Sequence, residues 1–98
     1  MNIIFNELAR DELEDAVKCY NLELSGLGDI FKDEIKKSLK RILEYPAAWP
    51  SITQDIHKYI LHRFPYKILY SIEKDHIYII AIAHQHRKPN DWIDRYLS

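Results

Sequence analysis

The residues that can do chemistry in this sequence are concentrated in a basic, imidazole-rich segment that follows its most apolar run. That segment reads His84-Gln85-His86-Arg87-Lys88. Histidine changes its charge near neutral pH, so His84 and His86 are candidates for proton transfer. Arginine can bind a phosphate through two parallel hydrogen bonds, so Arg87 and the earlier Arg63 are candidates for an anion clamp.

Lysine and tyrosine residues on the preceding strands can complete such a site. In a three-stranded meander, Lys58 and Lys67 can converge with both arginines on one phosphate. Tyr66 adds an aromatic ring among these cations, an arrangement typical of surfaces that stack nucleic-acid bases. The plainer alternatives are arginines paired with acidic residues at the surface and tyrosines packed on the sheet.

His84 and His86 share one face if their strand continues, which raises the question of a metal site. Zinc needs at least three protein ligands, and Asp91 or Asp94 would have to supply the third. We therefore expect no metal site and no cofactor. If neither histidine transfers protons, we expect one of them to be structural and the other exposed. The sequence also has no glycine-rich phosphate loop and no G-x-S-x-G or H-E-x-x-H motif.

The composition is that of one small soluble domain covering residues 1–98. Charged residues make up 30% of the chain and hydrophobic residues 47%, with only 2 glycines and 4 prolines. Cys19 is the single cysteine, which excludes a disulfide within the chain and fits a reducing compartment. There is no apolar run long enough to span a bilayer and no basic, apolar leader. We expect a cytoplasmic protein without a membrane partner.

The charges are unevenly divided between the two halves. Residues 1–56 contain 7 Lys/Arg and 11 Asp/Glu, a net charge of −4, whereas residues 57–98 contain 7 and 4, a net charge of +3. The second half also contains all five histidines. We therefore expect an anionic partner to bind the second half rather than the first.

The hydrophobic periodicity predicts two helices followed by strands. Apolar residues three and four apart predict a helix from Glu7, capped by Asn6, to about Glu23, and a second from Asp29 to about Tyr45. Alternating patterns predict a first strand over residues 2–5 and three later strands around 58–63, 67–73 and 76–84, before a short helix capped by Asn90. The fold class is α+β: an N-terminal strand and an antiparallel helical hairpin packed on a small antiparallel β-sheet, with a short C-terminal helix.

Two segments, followed by Trp92, give the sequence a resemblance to a known family. They read Arg63-Phe64-Pro65-Tyr66-Lys67-Ile68-Leu69-Tyr70 and Ile80-Ala81-Ile82-Ala83-His84-Gln85-His86-Arg87-Lys88-Pro89. With Gly26-Leu27-Gly28 and Pro46 in the same order, the chain resembles the RelE/ParE superfamily of type II toxin–antitoxin toxins, also called plasmid-stabilisation proteins. The resemblance implies a RelE-like fold and a cytoplasmic growth inhibitor. It also implies a cognate antitoxin from the same operon, in a toxin–antitoxin hetero-oligomer.

The resemblance implies two possible targets. ParE-like members inhibit DNA gyrase, and RelE-like members are metal-independent endoribonucleases that cut mRNA on the ribosome. The short segment after Pro89, with Trp92, and the near-neutral net charge favour the ParE-like branch. A toxin fold that has lost potency and only binds its antitoxin is a third alternative.

For the RNase alternative, the resemblance places catalysis on Arg63, His84, His86 and Arg87. His57 stands where an arginine is often found. The expected substrate or partner-binding residues are Lys58, Lys67, Tyr66, Lys88 and Trp92. Antitoxins of this superfamily commonly wrap the toxin with an amphipathic helix or strand, so we expect exposed apolar surface near the helical hairpin and the sheet edge.

Overall fold

The structure, a computed structural model, describes residues 1–53, 55–87 and 92–97. The elements in these ranges are β1 (Asn2–Phe5), α1 (Glu7–Glu23), α2 (Leu27–Glu44), β2 (Ile56–Ile60), β3 (Tyr66–Ile72), β4 (His76–His84) and α3 (Trp92–Leu97). The strands form one sheet in the order β1-β4-β3-β2. The α+β class and the order of elements are confirmed.

The sheet is mixed rather than purely antiparallel. Strands β2, β3 and β4 form the predicted antiparallel meander, but β1 pairs with β4 in parallel, from Asn2 beside His76 to Phe5 beside Ile79. Strand β3 occupies one side of β4, so the other side is free for β1. Parallel pairing requires a long connection, and the chain between β1 and β4, which includes both helices, provides it.

Asn6 is the residue at which β1 ends and α1 begins. Its backbone N–H donates to the carbonyl of Ile79 at 2.9 Å, next to the end of the pairing between β1 and β4. Its side-chain oxygen accepts from the backbone N–H of Leu8 at 2.9 Å, as predicted for an N-cap. Its side-chain amide donates to the hydroxyl of Tyr78 at 2.9 Å. One side chain thus fixes the first helix relative to the sheet.

The turn between the helices differs from the prediction. Helix α2 begins at Leu27 with Gly26 as its N-cap, two residues before the predicted start at Asp29. The side-chain oxygen of Asn21 accepts from the N–H groups of Gly26 at 3.1 Å and Gly28 at 2.8 Å. Asn21 of α1 therefore provides the acceptor for N–H groups at the start of α2, which a capping side chain in the turn would otherwise provide. Gly26 has φ of 89°, which a residue with a side chain rarely adopts.

The helices pack on one face of the sheet, and α3 packs on the other. The core under the helical hairpin includes the buried residues Ala9, Ala16, Phe31, Ile35, Ile42, Ile68, Tyr70, Ile77 and Ile79. The opposite face has a smaller core, formed by Ile56, Leu69, Ile80, Ala81 and Trp92. Strand β4 contributes to both cores, which explains its apolar residues on both faces.

The chain leaves the sheet between β2 and β3 earlier than expected. Strand β2 ends at Ile60, so Arg63 does not continue its face as predicted. Pro65 has no N–H to donate to a ladder, and Phe64 turns inward to pack edge-on against Phe31 at 5.0 Å between ring centroids. The Lys74-Asp75 turn is present, closed by a 2.9 Å hydrogen bond from Glu73 N–H to the His76 carbonyl.

Replacing Gly28 with alanine should destabilise the hairpin because the two helices touch there. A Cβ at this position would lie 2.1 Å from the carbonyl oxygen of Val17 and 2.7 Å from the side chain of Asn21. The helices must separate to admit it, so we expect G28A to lower the free energy of unfolding in urea by about 1–3 kcal/mol. S25A, an exposed change in the same turn, is the matched control. Equal stability of G28A and the wild type would contradict this packing.

Candidate functional site

Glu12 lies beside β4 where β1 has already ended. Strand β1 pairs only with residues 76–79, while β4 continues to His84. The Glu12 Oε1 atom accepts a hydrogen bond from the backbone N–H of Ile82 at 3.1 Å. A helix side chain thus replaces the missing strand at this part of the sheet edge.

The same carboxylate binds two arginines from the C-terminal part of the chain. Arg95 on α3 donates through both terminal nitrogens, at 2.9 Å to Oε1 and 3.0 Å to Oε2 of Glu12. Arg95 also donates to the carbonyl of Ile80 at 3.3 Å. Arg87 approaches Oε2 at 3.4 Å. Glu12 therefore joins α1, β4, the segment after β4 and α3.

Lys67 holds the segment after β4 from the opposite face of the sheet. Its amine donates to the carbonyls of Gln85 at 3.1 Å and Arg87 at 2.9 Å. It also lies 4.7 Å from the centre of the Trp92 ring, within the range of a cation–π contact. Lys67 is only 6% exposed, and burial, with the neighbouring charge of Lys58, lowers the pKa of its amine.

Arg63 is fixed to α2. Its Nε donates to Glu34 Oε1 at 3.0 Å, and its backbone N–H donates to Glu34 Oε2 at 3.1 Å. The Glu34 side chain is 9% exposed and that of Arg63 is 65% exposed. This geometry matches the plainer alternative of an arginine with an acidic partner, although much of the guanidinium still faces solvent.

Tyr66, His84 and His86 lie together at the end of β4. The ring centroids are 5.7 Å apart for Tyr66 and His84, and 6.1 Å apart for His84 and His86. Burial is the main cause that raises the pKa of Tyr66. Tyr66 and His84 border a groove of about 240 Å³, the strand-end groove, which is lined by Glu12, Asp15, Ala16, Cys19, Tyr66, Ile82, Ala83, His84 and Arg87.

The proposed phosphate ligands do not all meet in this groove. Lys67 pairs with Ala83 and Tyr66 pairs with His84, so alternation along the strands puts Lys67 on the opposite face from Tyr66. Lys58 pairs with Leu69, which belongs to the core on the Lys67 side. Trp92 covers that face, so the predicted convergence of both lysines with both arginines is wrong. Lys88, together with Asn90 and Asp91, lies outside the described residues.

His57, at the position where an arginine is often found, has a packing role. Its ring stacks on Tyr70 with 5.3 Å between centroids and an interplanar angle of 16°. Its Nδ1 lies 2.9 Å from the carbonyl oxygen of Trp49, to which the ring can donate. Tyr70 donates to the carbonyl of Pro46 at 2.5 Å, and burial raises the pKa of Tyr70 to about 12. Together these contacts tie the loop after α2 to the sheet.

Across residues 1–53, 55–87 and 92–97, no three His, Cys, Asp or Glu side chains are grouped so that they could hold a metal ion. In the same part of the chain, none of the helices is long and apolar enough to cross a membrane.

Comparison with known families gives a match over most of the chain. A family model described as the ParE toxin of the type II toxin–antitoxin system parDE matches residues 3–89. The chain belongs to this family. It is thus a toxin of the RelE/ParE superfamily, as the resemblance implied. No curated protein sequence gave a significant match.

Solved structures of other toxins have the same fold. A chain of the chromosomal ParDE system from P. aeruginosa superposes with a TM-score of 0.75 and 17% identity, covering 86% of this toxin and 95% of that chain. The isolated E. coli RelE toxin gives 0.65 and 19%, covering 98% and 94%. A mutant of E. coli RelE in complex with a peptide of the antitoxin RelBc gives 0.64 and 19%, covering 99% and 94%. At these identities the likeness concerns the fold alone.

Replacing Glu12 with glutamine should weaken the whole junction at the end of β4. The neutral amide keeps only one accepting oxygen, without the charge, and turns its NH₂ group toward donors. We expect E12Q to lower the free energy of unfolding by about 2–4 kcal/mol. E14Q, an exposed change on the same helix, should alter it by less than about 0.5 kcal/mol. Urea denaturation measures both, and equal values for the two variants would contradict the role of Glu12.

Proposed function

We propose that this toxin stops growth by binding DNA gyrase and that it does not cut nucleic acid. The observation that carries the proposal is that Lys67, a candidate phosphate ligand, is already bound within the chain. Its amine donates to two backbone carbonyls and lies under Trp92. Membership of the ParE family supports the same choice, since the resemblance associates ParE-like toxins with gyrase.

Cleavage of RNA without a metal makes demands that this groove meets only in part. A base must take the 2′-OH proton, an acid must protonate the leaving oxygen, and cations must stabilise the phosphorane. In the strand-end groove Arg87 is accompanied by two carboxylates, Glu12 and Asp15, so the lining offers a phosphate little net positive charge. Arg87 shares Glu12 with Arg95, and Arg63 is bonded to Glu34.

One observation favours the RelE-like alternative, an mRNA endonuclease acting on the ribosome. His84 and His86 lie 6.1 Å apart between ring centroids, and Tyr66 contacts the first of them. Two imidazoles at this separation can act as an acid–base pair on one substrate. In that alternative the catalytic residues are His84, His86, Arg87 and Arg63.

We also propose that a cognate antitoxin from the same operon neutralises the toxin in a cytoplasmic hetero-oligomer. The support is family membership, since the matching family is defined within a toxin–antitoxin system. A second support for an antitoxin partner is the similar fold of a mutant E. coli RelE in its complex with an antitoxin peptide.

Induced expression in a bacterial host distinguishes the two targets. If the toxin binds gyrase, we expect a DNA-damage reporter to respond before incorporation of a labelled amino acid falls. The H84A/H86A double variant should keep full growth inhibition, because no proton transfer is needed. H57A is not a suitable control because His57 packs on Tyr70, so the exposed change H62A serves instead.

Three outcomes would count against the gyrase proposal. Rapid loss of translation with plasmid supercoiling intact would contradict it. Loss of growth inhibition in H84A/H86A, with H62A still toxic and both variants folded by circular dichroism, would favour the endonuclease. Absence of growth inhibition by the wild type, despite soluble expression, would favour a toxin fold that has lost potency.

A further inference from the structure

Most cations in the second half of the chain are bonded to other groups of the chain. Lys67 donates to two backbone carbonyls, and Arg63 is bonded to Glu34. Two further arginines share the carboxylate of Glu12. Much of the positive charge of residues 57–98 is therefore used within the fold rather than offered to a ligand.

Helix α2 carries a row of lysines that are not used in this way. Lys32, Lys36 and Lys40 follow one another at intervals of four residues, so they lie one turn apart along one side of the helix. All three are exposed, and across residues 1–53, 55–87 and 92–97 none of their amines takes part in an ion pair or hydrogen bond. These three residues, the lysine row, are free to bind an anion from outside.

The other cations of α2 have partners. Lys37 pairs with Asp33 at 3.3 Å, and Arg41 donates to the hydroxyl of Tyr59 at 2.9 Å. Asp33, an acid of the same helix, is thus engaged by a lysine outside the lysine row. The free positive charge of α2 is therefore concentrated on one side of the helix.

Two cations of α1 extend this positive surface. Arg10 and Lys18 are exposed and, with Lys32, line a groove of about 390 Å³ between the two helices. Glu14 is the one carboxylate in this lining among the residues that the structure describes. Two other acids of α1 line the strand-end groove, on a different side of the helix. The net charge of −4 over residues 1–56 therefore conceals a positive surface.

The lysine row matches the repeat of charge along a DNA backbone. Its first and last lysines are eight residues apart, which is a rise of about 12 Å along the helix. Phosphates of one DNA strand follow one another at about 3.4 Å along the axis, so the row spans about three or four of them. A lysine is a point charge on a flexible stem and can reach a phosphate without a fixed geometry.

We propose that the lysine row binds the phosphate backbone of duplex DNA without reading its sequence. Phosphates repeat as evenly as these lysines do, whereas the carboxylates of an acidic protein segment are spaced irregularly. Single strands are usually bound by stacking bases on aromatic rings, and the groove beside the row has none in its described lining. A duplex is therefore the better fit.

The proposal rests on the proposed function, because gyrase itself holds a DNA duplex. The chain has a net charge of −1, so binding of the toxin alone to DNA should be weak and should need low salt. A toxin already held on gyrase would meet the duplex at a high effective concentration, which makes weak contacts sufficient. The lysine row would then add a contact to DNA beside the contact to the enzyme.

A fluorescent duplex of about 20 base pairs, titrated with the purified full-length toxin at several low salt concentrations, is the probe. The logarithm of the binding constant should fall linearly with the logarithm of the salt concentration, with a slope of about −3, or about 0.9 per lysine. K36Q should reduce the magnitude of this slope by about 1. K32Q/K36Q/K40Q should bind the duplex at least about tenfold more weakly than the wild type.

The control variant is K74Q, which removes one positive charge from the turn between β3 and β4. Lys74 is exposed, as is Lys36, so neither change disturbs the core. K74Q should keep the slope of the wild type, and circular dichroism should show every variant folded.

Three results would overturn the proposal: a slope unchanged by K36Q, equal effects of K36Q and K74Q, or no binding of the duplex by the wild type at low salt. Binding of poly-L-glutamate as tightly as the duplex would also overturn it, in favour of an acidic protein partner. These titrations contain no gyrase, so the two proposals fail separately. A toxin that binds the duplex but leaves supercoiling intact contradicts the gyrase proposal alone.

Discussion

Glu12 occupies the position beside β4 where a longer first strand would have continued. Strand β1 ends after four residues, and the sheet edge beyond it would otherwise present unpaired backbone groups. The carboxylate accepts from Ile82 and binds Arg95, which in turn donates to the carbonyl of Ile80. Helix α3 is therefore held by the same interaction that completes the sheet edge. Helix α3 and the segment after β4 are both tied to this one partly buried acid.

Several charged side chains are already bonded to other groups of the chain, which limits their use in binding a ligand. Lys67 holds the carbonyls after β4, and Arg63 is bonded to Glu34. These cations stabilise the fold, which leaves fewer of them to bind a phosphate. An inhibitor that works by contact needs surfaces rather than a charged catalytic cluster. The strand-end groove is one such surface. A second groove, lined by Arg10, Leu13, Glu14, Val17, Lys18 and Lys32, lies on α1 and α2 and is lined mainly by cations.

Local signals in the sequence predicted the elements well, and tertiary partners were predicted poorly. The Asn6 cap and the regular apolar spacing gave the bounds of α1 as observed, because both signals lie within one turn of the helix. The partners of Glu12 lie about 70 residues away, so periodicity cannot identify them. A clue did exist: Glu12 is three residues after Ala9 and four before Ala16, which places an acid within the buried stripe. Glu34 likewise lies three residues after Phe31 and four before Ser38, both of which are buried.

The central claim, inhibition of gyrase by binding, is tested most directly with purified components. Gyrase, relaxed plasmid and ATP are incubated with increasing toxin, and the supercoiled product is measured on a gel. In parallel, ribosomes programmed with mRNA are incubated with the same toxin, and the mRNA is examined for cuts. If the toxin acts by binding gyrase, supercoiling should fall as toxin is added while the mRNA remains intact. Full supercoiling activity in excess toxin, together with cut mRNA, would contradict it.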